Sequence, residues 1–164
     1  MSPRAAWRLE TLGFEHVYEY VTGKADWLAH GLPREGENAD VPYAGQLLDR
    51  EPPTCALNDD VPAMTAAVAS ARYGFCLVVS EERIVLGRVR KSALEHAASD
   101  ATAEQLMEPG PSTVRPNTPA QTLLERLAKQ GLHTAIVTTP EGRLLGVFAR
   151  ELAEREVMTT NPER

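Results

Sequence analysis

The hydrophobic positions between residues 47 and 157 follow two local patterns that alternate along the chain. The first is a helical pattern, in which apolar residues at i, i+3, i+4 and i+7 fall on one helix face. Its first example consists of Met64, Ala67, Val68 and Ala71. The second pattern is a pair of short aliphatic runs at 77–79 and 84–86, which is typical of a β-hairpin. Together the two patterns predict a helix followed by two paired strands.

This succession of helix and hairpin occurs a second time further along the chain. The second helix face consists of Ala120, Leu123, Leu124 and Leu127, and apolar runs at 135–137 and 144–145 follow it. Three pairs of residues correspond: Pro62 with Pro119, Gly74 with Gly131, and Gly87 with Gly146. The two residues of the first pair are as far apart along the chain as those of the second pair, and those of the third pair are two residues further apart. We therefore expect the second hairpin turn, at 139–142, to be two residues longer than the first.

Each copy predicts one strand–helix–strand–strand–helix unit. A short extended stretch precedes each helix, at 55–57 and 113–115, and a further helix follows each hairpin, at 92–98 and 151–157. Thr118 is predicted to cap its helix, with Pro119 at the first helical position. The two glycines Gly74 and Gly131 are predicted to be left-handed residues at which helices end. Because one unit is too small to bury both faces of its sheet, we expect an α/β fold in which two units pack as a pair.

Composition and charge exclude several classes of protein. The chain of 164 residues carries 17 basic and 23 acidic side chains, a net charge of −6, which argues against nucleic-acid binding because phosphates attract clustered Lys and Arg. No apolar run reaches the roughly 18–20 residues of a membrane-spanning helix, and the N-terminus does not resemble a secretion signal. Two cysteines are too few for a disulfide framework and favour a reducing compartment. We expect a cytoplasmic protein without membrane or nucleic-acid partners.

Two stretches of the second copy resemble a known family. Residues 106–119 (LMEPGPSTVRPNTP) and 135–147 (AIVTTPEGRLLGV) are similar to the signatures of CBS domains, which are named after cystathionine β-synthase. The resemblance extends over residues 47–157 and implies tandem CBS repeats at 47–105 and 106–157, followed by a flexible tail at 158–164. It further implies a cleft between the repeats, a homodimer, and a non-catalytic regulatory module. Such a module requires no cofactor and binds an adenosine-containing ligand such as AMP, ADP, ATP or S-adenosylmethionine.

The resemblance also implies which residues line the cleft. They are Thr113, Val114, His133, Thr134, Ala135 and Phe148 in the second repeat, with Phe75 and Cys76 in the first. Four cations are candidates for contacts with phosphate oxygens, which guanidinium groups bind in a bidentate manner: Arg88, Arg90, Lys91 and Arg150. The alternative is that these cations pair with acidic side chains of the protein itself, such as Glu141, Glu151 or Glu154.

The chain departs from the family's ribose-binding pattern, in which an aspartate after the hairpin grips the sugar hydroxyls. Ala93 takes the aspartate position in the first repeat and Leu152 in the second, unless Glu151 substitutes from one residue earlier. The loss removes charge-assisted hydrogen bonds worth roughly 1.5–3 kcal/mol each. Two functions therefore stay open. The basic cluster favours a nucleotide sensor, and the missing aspartates favour a ligand-free structural or dimerisation module.

Residues 1–33 lie outside the repeat and are joined to it by a linker at 34–46. Their pattern predicts a helix from Ser2 to a stop at Gly13, a strand at 16–20 and a helix at 24–30. The sequence resembles the C-terminal end of rhodanese (sulfurtransferase) domains, without the cysteine loop that carries the chemistry of that family. We expect this fragment to bury its large apolar side chains against the repeats or across a dimer: Trp7, Phe14, Trp27 and Leu28. The alternative is a loosely docked arm.

No catalytic or metal-binding pattern accompanies these features. The four histidines have neither the i, i+4 spacing of a metal site nor neighbouring cysteine pairs: His16, His30, His96 and His133. No nucleophile elbow and no phosphate-binding glycine loop occurs. The sequence therefore predicts a protein that is not an enzyme.

Overall fold

The computed structural model describes residues 2–36 and 39–160 of the chain. The α-helices are α1 (Ser2–Thr11), α2 (Gly23–Ala29), α3 (Val61–Ala69), α4 (Lys91–Leu94), α5 (Ala103–Leu106), α6 (Ala120–Lys129) and α7 (Arg150–Thr160), and a 3₁₀ helix spans Ala44–Gln46. The strands are β1 (Leu48–Asp49), β2 (Thr54–Cys55), β3 (Phe75–Val79), β4 (Val85–Arg90), β5 (Glu108–Pro109), β6 (Thr113–Val114), β7 (Thr134–Thr138) and β8 (Leu144–Ala149). Of the predicted tail, 158–160 continue helix α7, and 161–164 lie outside the described residues.

The strands form two four-stranded sheets, which confirms the predicted α/β fold. Their orders are β2-β3-β4-β5 and β6-β7-β8-β1. In each sheet the two middle strands form an antiparallel hairpin. The first strand pairs in parallel with its neighbour, β2 with β3 and β6 with β7. The last strand pairs antiparallel with its neighbour, β5 with β4 and β1 with β8. Strand β1 precedes the first helix–hairpin copy but pairs with β8, and β5 precedes the second copy but pairs with β4. The leading segment of each copy therefore completes the sheet of the other.

Equivalent residues of the two copies are separated by a constant number of positions along the chain, which we call the common offset. It equals the separation of Phe75 and Thr134. These two residues begin β3 and β7, and Val85 and Leu144, which begin β4 and β8, are separated by the same spacing. Both connecting turns contain five residues, at 80–84 and 139–143. The correspondence includes residues 43 and 46, whose mutual capping interaction recurs between residues 102 and 105. The copies therefore also share the segment at 43–46, which the sequence pattern placed in the linker.

The prediction that the second turn is two residues longer is wrong, because Gly74 and Gly131 are not equivalent. Both have positive φ angles, 67° and 64°. Gly131 directly follows Gln130, the last cap residue of α6, whereas Gly74 lies four residues after Ser70, the cap of α3. Helix α3 also ends before Ala71, which the pattern placed on its apolar face. The two prolines are not equivalent either, since Pro62 is the second residue of α3 and Pro119 is the cap of α6. Glycines and prolines at different distances from the helix ends thus produced the false offset.

The start of helix α6 differs from the prediction, and the two helices are capped in different ways. Asp60 caps α3, and its carboxylate accepts a hydrogen bond from the Ala63 N–H at 2.9 Å. At α6 the cap position belongs to Pro119, so the prediction of Thr118 is one residue early. The Ala120 N–H donates instead to the carbonyl of Pro42 at 2.9 Å. The leading segment of the first copy thereby satisfies a donor that a side-chain cap usually serves.

Each unit has its own apolar core, and a third cluster joins them. The second core includes the buried face of α6, as predicted: Ala120, Leu123, Leu124 and Leu127. The joining cluster contains Phe75, Leu77, Ile136, Leu144 and Val147. The hairpin turns also pair through their backbones, since the Leu144 N–H donates to Arg83 at 2.8 Å and the Val85 N–H to Gly142 at 3.1 Å. The two units therefore pack as a pair.

The N-terminal fragment docks chiefly through its second helix, among the residues that the structure describes. Leu28 in α2 is buried, and α2 contacts the 3₁₀ helix Ala44–Gln46. Trp7 and Phe14 are 64% and 59% exposed, so the expectation that they are buried within this chain is wrong. The predicted strand at 16–20 does not form, because no neighbouring strand offers it backbone partners. The fragment is thus anchored at α2 and leaves the apolar residues of α1 exposed.

Candidate functional site

A cleft of about 710 Å³ lies between the two units, at the end where β3 and β7 begin. The first copy lines it with Arg72, Tyr73, Phe75, Arg88 and Arg90. The second copy contributes residues 131–136, Ala149, Glu151, Leu152 and Arg155, and the connection before β6 contributes Pro111 and Ser112. The paired hairpin turns close the opposite end of these strands. A pocket of this volume lies within the range of small-molecule sites.

Equivalent positions of the two copies face this cleft with different side chains. At the common offset, Phe75 corresponds to Thr134 and Tyr73 to Leu132. Arg90 corresponds to Ala149, and Arg88 to the buried Val147. The first copy therefore gives the cleft an aromatic and cationic wall. At the equivalent strand positions the second copy has smaller or apolar side chains, and its charged lining residues, Glu151 and Arg155, follow the hairpin.

Glu108 holds two of the cleft arginines together. One carboxylate oxygen, Oε2, accepts from Arg88 Nη2 at 2.6 Å and Nε at 3.2 Å. The other, Oε1, accepts from Arg90 Nε at 2.7 Å. The Arg88 guanidinium, and then that of Arg90, hold the pKa of this carboxyl below its ordinary value. Arg88 and Arg90 thus lie side by side at the rim, with one internal carboxylate between them.

Aromatic rings extend this wall. The rings of Tyr73 and Phe75 stack with centroids 5.7 Å apart, and the Arg88 guanidinium lies over Phe75 at 5.7 Å. The Tyr73 hydroxyl donates to Asp49 Oδ2 at 2.8 Å. Burial, and then the hydrogen bond to Asp49, raise the pKa of the Tyr73 phenol. The wall therefore combines a flat π surface with cationic donors, which suits a planar ligand that carries an anionic group.

The structure brings about half of the sequence-predicted residues to the cleft. Those that line it are Phe75, Arg88, Arg90, His133, Thr134 and Ala135. Those outside its lining are Thr113, Val114, Phe148, Cys76, Lys91 and Arg150. Whether a ligand contacts any of them stays a prediction.

Packing explains why several of these residues do not line the cleft. Val114 and Phe148 are buried in the second core. Cys76 is buried in the first core, where its Sγ lies 3.4 Å from Sγ of Cys55. The hydrogen bond with Cys76, and then burial, raise the pKa of the Cys55 thiol. These side chains point away from the space in which a ligand would lie.

The remaining cations and the threonine have other surroundings. Lys91 lines a separate cavity of about 430 Å³ beside α3. Arg150 Nε donates to Glu154 Oε1 at 2.6 Å, which is one of the ion pairs that the sequence left open as an alternative. The exposed Thr113 follows directly after Ser112, which does line the cleft.

The sequence pattern gave no sign of two residues of the wall, Tyr73 and Glu108. Glu108 lies inside the family-like stretch at 106–119, but nothing in that stretch indicates a contact with Arg88. The contact arises because β5 pairs with β4, with Glu108 opposite Arg88. The acidic partners expected for the arginines were Glu141, Glu151 and Glu154, whereas Arg88 and Arg90 both pair with Glu108.

Residues 2–36 and 39–160 contain neither a metal-binding cluster nor a membrane-spanning helix. In these ranges no three His, Cys, Asp or Glu side chains are grouped so that they would hold a metal ion. None of the helices described there is long and apolar enough to cross a membrane.

The chain is similar to CBS-domain proteins in sequence and fold. Residues 103–151 match the family model of the CBS domain. The cytosolic domain of the Mg²⁺ channel MgtE, solved in complex with ATP, has a TM-score of 0.61 and 21% identity, and the match covers 70% of this chain and 48% of that one. This chain thus spans about half the length of that channel domain. No curated protein sequence matches the chain.

Two further structures are similar over most of their own length. The CBS domain pair of protein MJ0100, in complex with 5′-methylthioadenosine and S-adenosyl-L-methionine, has a TM-score of 0.60 and 15% identity, with 74% of this chain and 99% of that one covered. CBSX2 in complex with AMP has a TM-score of 0.61 and 15% identity, with 71% and 96% covered. At these identities the likeness shows the fold, a CBS-type pair. None of the comparisons supports the rhodanese resemblance of residues 1–33.

Proposed function

We propose that the protein is a non-catalytic regulatory module that senses an adenosine-type nucleotide in the cleft between its two units. The observation that carries this proposal is the wall in which Arg88 and Arg90 lie beside the stacked rings of Tyr73 and Phe75. Proteins of the same fold have been solved with ATP, AMP and S-adenosylmethionine. We place the protein in the cytoplasm, since both cysteines are free thiols.

The wall supplies two of the three contacts that a nucleotide needs. The half-buried ring of Tyr73, which stacks on the buried ring of Phe75, offers a stacking surface for the base, a contact worth about 1–3 kcal/mol per base. The guanidinium groups of Arg88 and Arg90 offer charge-assisted donors to phosphate oxygens. Because Ala93 and Leu152 stand at the positions of the ribose-binding aspartates, the sugar contributes least. We therefore expect affinity to rise with phosphate charge, from adenosine through AMP to ATP, and S-adenosylmethionine, which is cationic at its sulfur, to bind more weakly than ATP.

The mechanism is a shift between two arrangements of the pair. A ligand that contacts both walls of the cleft binds more tightly to the arrangement in which those walls are closest. It raises the population of that arrangement by its difference in affinity. We further propose that this change of arrangement is transmitted to a protein partner or to the other subunit of a homodimer.

Thermal unfolding in the presence of AMP, ADP, ATP or S-adenosylmethionine tests the proposal. A ligand at about 100 times its dissociation constant adds roughly 2.7 kcal/mol to stability, which raises Tm by several degrees in a domain of this size. Arg90→Ala is expected to remove the shift, and Arg126→Ala, an exposed arginine of α6 outside the cleft lining, is expected to preserve it. The absence of a shift with every nucleotide contradicts the sensor.

A second function has its own support, a ligand-free structural or dimerisation module. Glu108 already neutralises part of the arginine charge, and α1 and the turn after it expose Trp7, Leu12 and Phe14. Sedimentation of the whole chain separates the two functions. A dimer that dissociates on Trp7→Ser substitution, in a protein without any nucleotide response, supports the structural module.

A further inference from the structure

Glu108 lies between Arg88 and Arg90 and accepts hydrogen bonds from both guanidinium groups, as an anionic ligand would. Its carboxylate receives two donors of Arg88 and one of Arg90, at 2.6–3.2 Å. Both Arg90 and Glu108 have about half of their side-chain surface exposed, at 50% and 51%. Arg88 and Arg90 line the cleft, whereas Glu108 lies outside its lining and reaches the cleft only through these two ion pairs.

The charges at this point do not balance. Two guanidinium groups share a single carboxylate, which leaves a net positive charge on the three side chains. A phosphate group carries close to two negative charges at neutral pH and three acceptor oxygens, so it pairs with both guanidinium groups better than one carboxylate does. Arginine also matches phosphate geometry in a bidentate manner. A nucleotide phosphate thus competes with Glu108 for the same donors.

Glu108 lies in the strand that joins the two units. Strand β5 contains only Glu108 and Pro109, which pair with Arg88 and Gly87 of β4. The adjacent Gly110 N–H donates to the Leu86 carbonyl at 3.0 Å. A two-residue edge strand has few backbone hydrogen bonds, so the two ion pairs of Glu108 add to the packing of the preceding Met107 against the first core in keeping it in place.

The equivalent strand of the other sheet lacks this arrangement. At the common offset Asp49 corresponds to Glu108, and its carboxylate accepts from the Tyr73 hydroxyl. The residues of β8 that correspond to Arg88 and Arg90 are Val147 and Ala149. Competition with a phosphate is therefore confined to one of the two edge strands.

We infer that Glu108 is an internal competitor for the phosphate of the ligand, and that binding of a nucleotide polyphosphate displaces it and loosens strand β5. This inference rests on the proposed function and names both the ligand class and the element that responds. Loosening β5 changes the connection between the two units, because the chain passes from β4 of the first unit through β5 to β6 of the second. The displaced strand is thus the element through which the cleft acts on the arrangement of the pair.

Calorimetric titration of the whole chain with ATP and with adenosine tests the competition. Glu108→Gln keeps the size of the half-exposed side chain but removes its charge, and we expect it to bind ATP about tenfold more tightly than the wild type while its affinity for adenosine stays unchanged. Glu104→Gln is the matched control, because Glu104 is an exposed glutamate of α5 that does not line the cleft. It is expected to bind both ligands as the wild type does.

The outcomes separate the inference from the proposed function. ATP that binds wild type and Glu108→Gln with equal affinity, or the variant more weakly, overturns the competition and leaves the nucleotide sensor standing. ATP and adenosine that bind neither protein overturn the proposed function and the competition together. Inorganic triphosphate that binds Glu108→Gln more tightly than the wild type supports the competition independently of the base.

Hydrogen exchange tests the response of the strand. In the wild type, saturating ATP is expected to speed exchange of the Gly110 amide, whose hydrogen bond to Leu86 holds the end of β5. Adenosine is expected to leave that rate unchanged. Slower exchange of Gly110 with ATP overturns the displacement, because a ligand that adds to the existing ion pairs protects the strand.

Discussion

The two copies share one backbone plan and differ in what they present to the cleft. The hairpin strands, their turns and the parallel strands β2 and β6 correspond at the same offset, and the bounds of β1 and β5 differ from it by one residue. At equivalent positions, however, the first copy has Phe75, Arg88 and Arg90 where the second has Thr134, Val147 and Ala149. The family model matches the second copy, at 103–151. The copy that matches the family model is thus the one that lacks the Arg88 and Arg90 pair.

The cores differ in the same direction. Helix α6 buries Leu123, Leu124 and Leu127, whereas α3 buries only Met64 and Val68. Larger buried side chains remove more apolar area from water. We therefore expect the second unit to contribute more to stability and the first unit to contribute more to recognition.

The largest effect is expected from the two equivalent glycines beneath the exchanged edge strands. A Cβ on Gly146 lies 2.4 Å from the backbone oxygen of Asp49, and the φ of Gly146 is also positive at 154°. A Cβ on Gly87 lies 2.4 Å from the Met107 sulfur and 2.8 and 2.9 Å from Cγ and Cβ of the same side chain. The sulfur end of a methionine moves aside more easily than backbone, although its Cβ does not. Gly146→Ala is expected to lower the free energy of unfolding by about 2–4 kcal/mol and Gly87→Ala by about 1–3 kcal/mol, measured by urea denaturation. Equal losses contradict the difference between the two contacts.

A smaller difference is expected between equivalent positions of the two helices. Leu127 of α6 corresponds to Val68 of α3, and both are buried. Leu127→Ala is expected to cost about 2–5 kcal/mol, and Val68→Ala about 1.5 kcal/mol, since it removes two methyl groups. Urea midpoints of the two variants check the order. A larger loss for Val68→Ala shows that the first core is the more demanding one.

A pH-dependent effect is expected from the ion pairs of Glu108. The arginines lower the pKa of this carboxyl in the folded state, so its contribution to stability is complete above the unfolded pKa of about 4.3 and is lost as pH falls through the folded value. Arg88→Ala is expected to raise the midpoint of the Glu108 carboxyl in an NMR titration and to reduce the loss of stability in acid. An unchanged midpoint shows that Arg88 does not stabilise the carboxylate.

The smallest effect on folding is expected from the exposed tryptophan. Trp7 of α1 is largely exposed, whereas Trp27 of α2 donates its indole N–H to Pro33 at 2.9 Å and packs edge-on against Tyr20. Trp7→Ala is expected to change the free energy of unfolding by less than about 0.5 kcal/mol, and Trp27→Ala by more. Thermal unfolding at low and high protein concentration also shows whether Trp7 is buried between copies, because its substitution then lowers Tm only at high concentration.

Local patterns predicted the helices and hairpins well, because apolar periodicity reflects which face an element buries. The strand at 16–20 fails because alternation does not supply a partner strand. The false offset arose in part because Gly74 was aligned with Gly131, whereas its structural equivalent is His133. The Gly74 carbonyl accepts from the Lys91 N–H, directly after the first hairpin, at 2.9 Å. The His133 carbonyl accepts from the Arg150 N–H, directly after the second hairpin, at the same distance. Such equivalence is visible only once the chain is folded.

Long-range contacts were beyond the sequence for the same reason. The exchange of β1 and β5 between sheets has no local signal, since each strand is two residues long. Without that exchange Glu108 has no reason to meet Arg88 and Arg90, and Asp49 has none to meet Tyr73. The cleft was therefore predicted mainly where it consists of hairpin residues. It was missed at residues before and after the hairpins, such as Arg72, Leu132 and Arg155, and where contacts depend on the leading segments.

Calorimetric titration of ATP into arginine variants shows whether the first copy binds the phosphate of an adenosine-type ligand, as we propose. Loss of a charged hydrogen bond costs about 1.5–3 kcal/mol, so Arg88→Met combined with Arg90→Met is expected to weaken ATP binding at least tenfold. Arg143→Met, an exposed arginine in the second hairpin turn at the far end of the strands, is expected to leave it unchanged. If the double variant binds ATP with the affinity of the wild type, Arg88 and Arg90 do not bind the phosphate of the ligand.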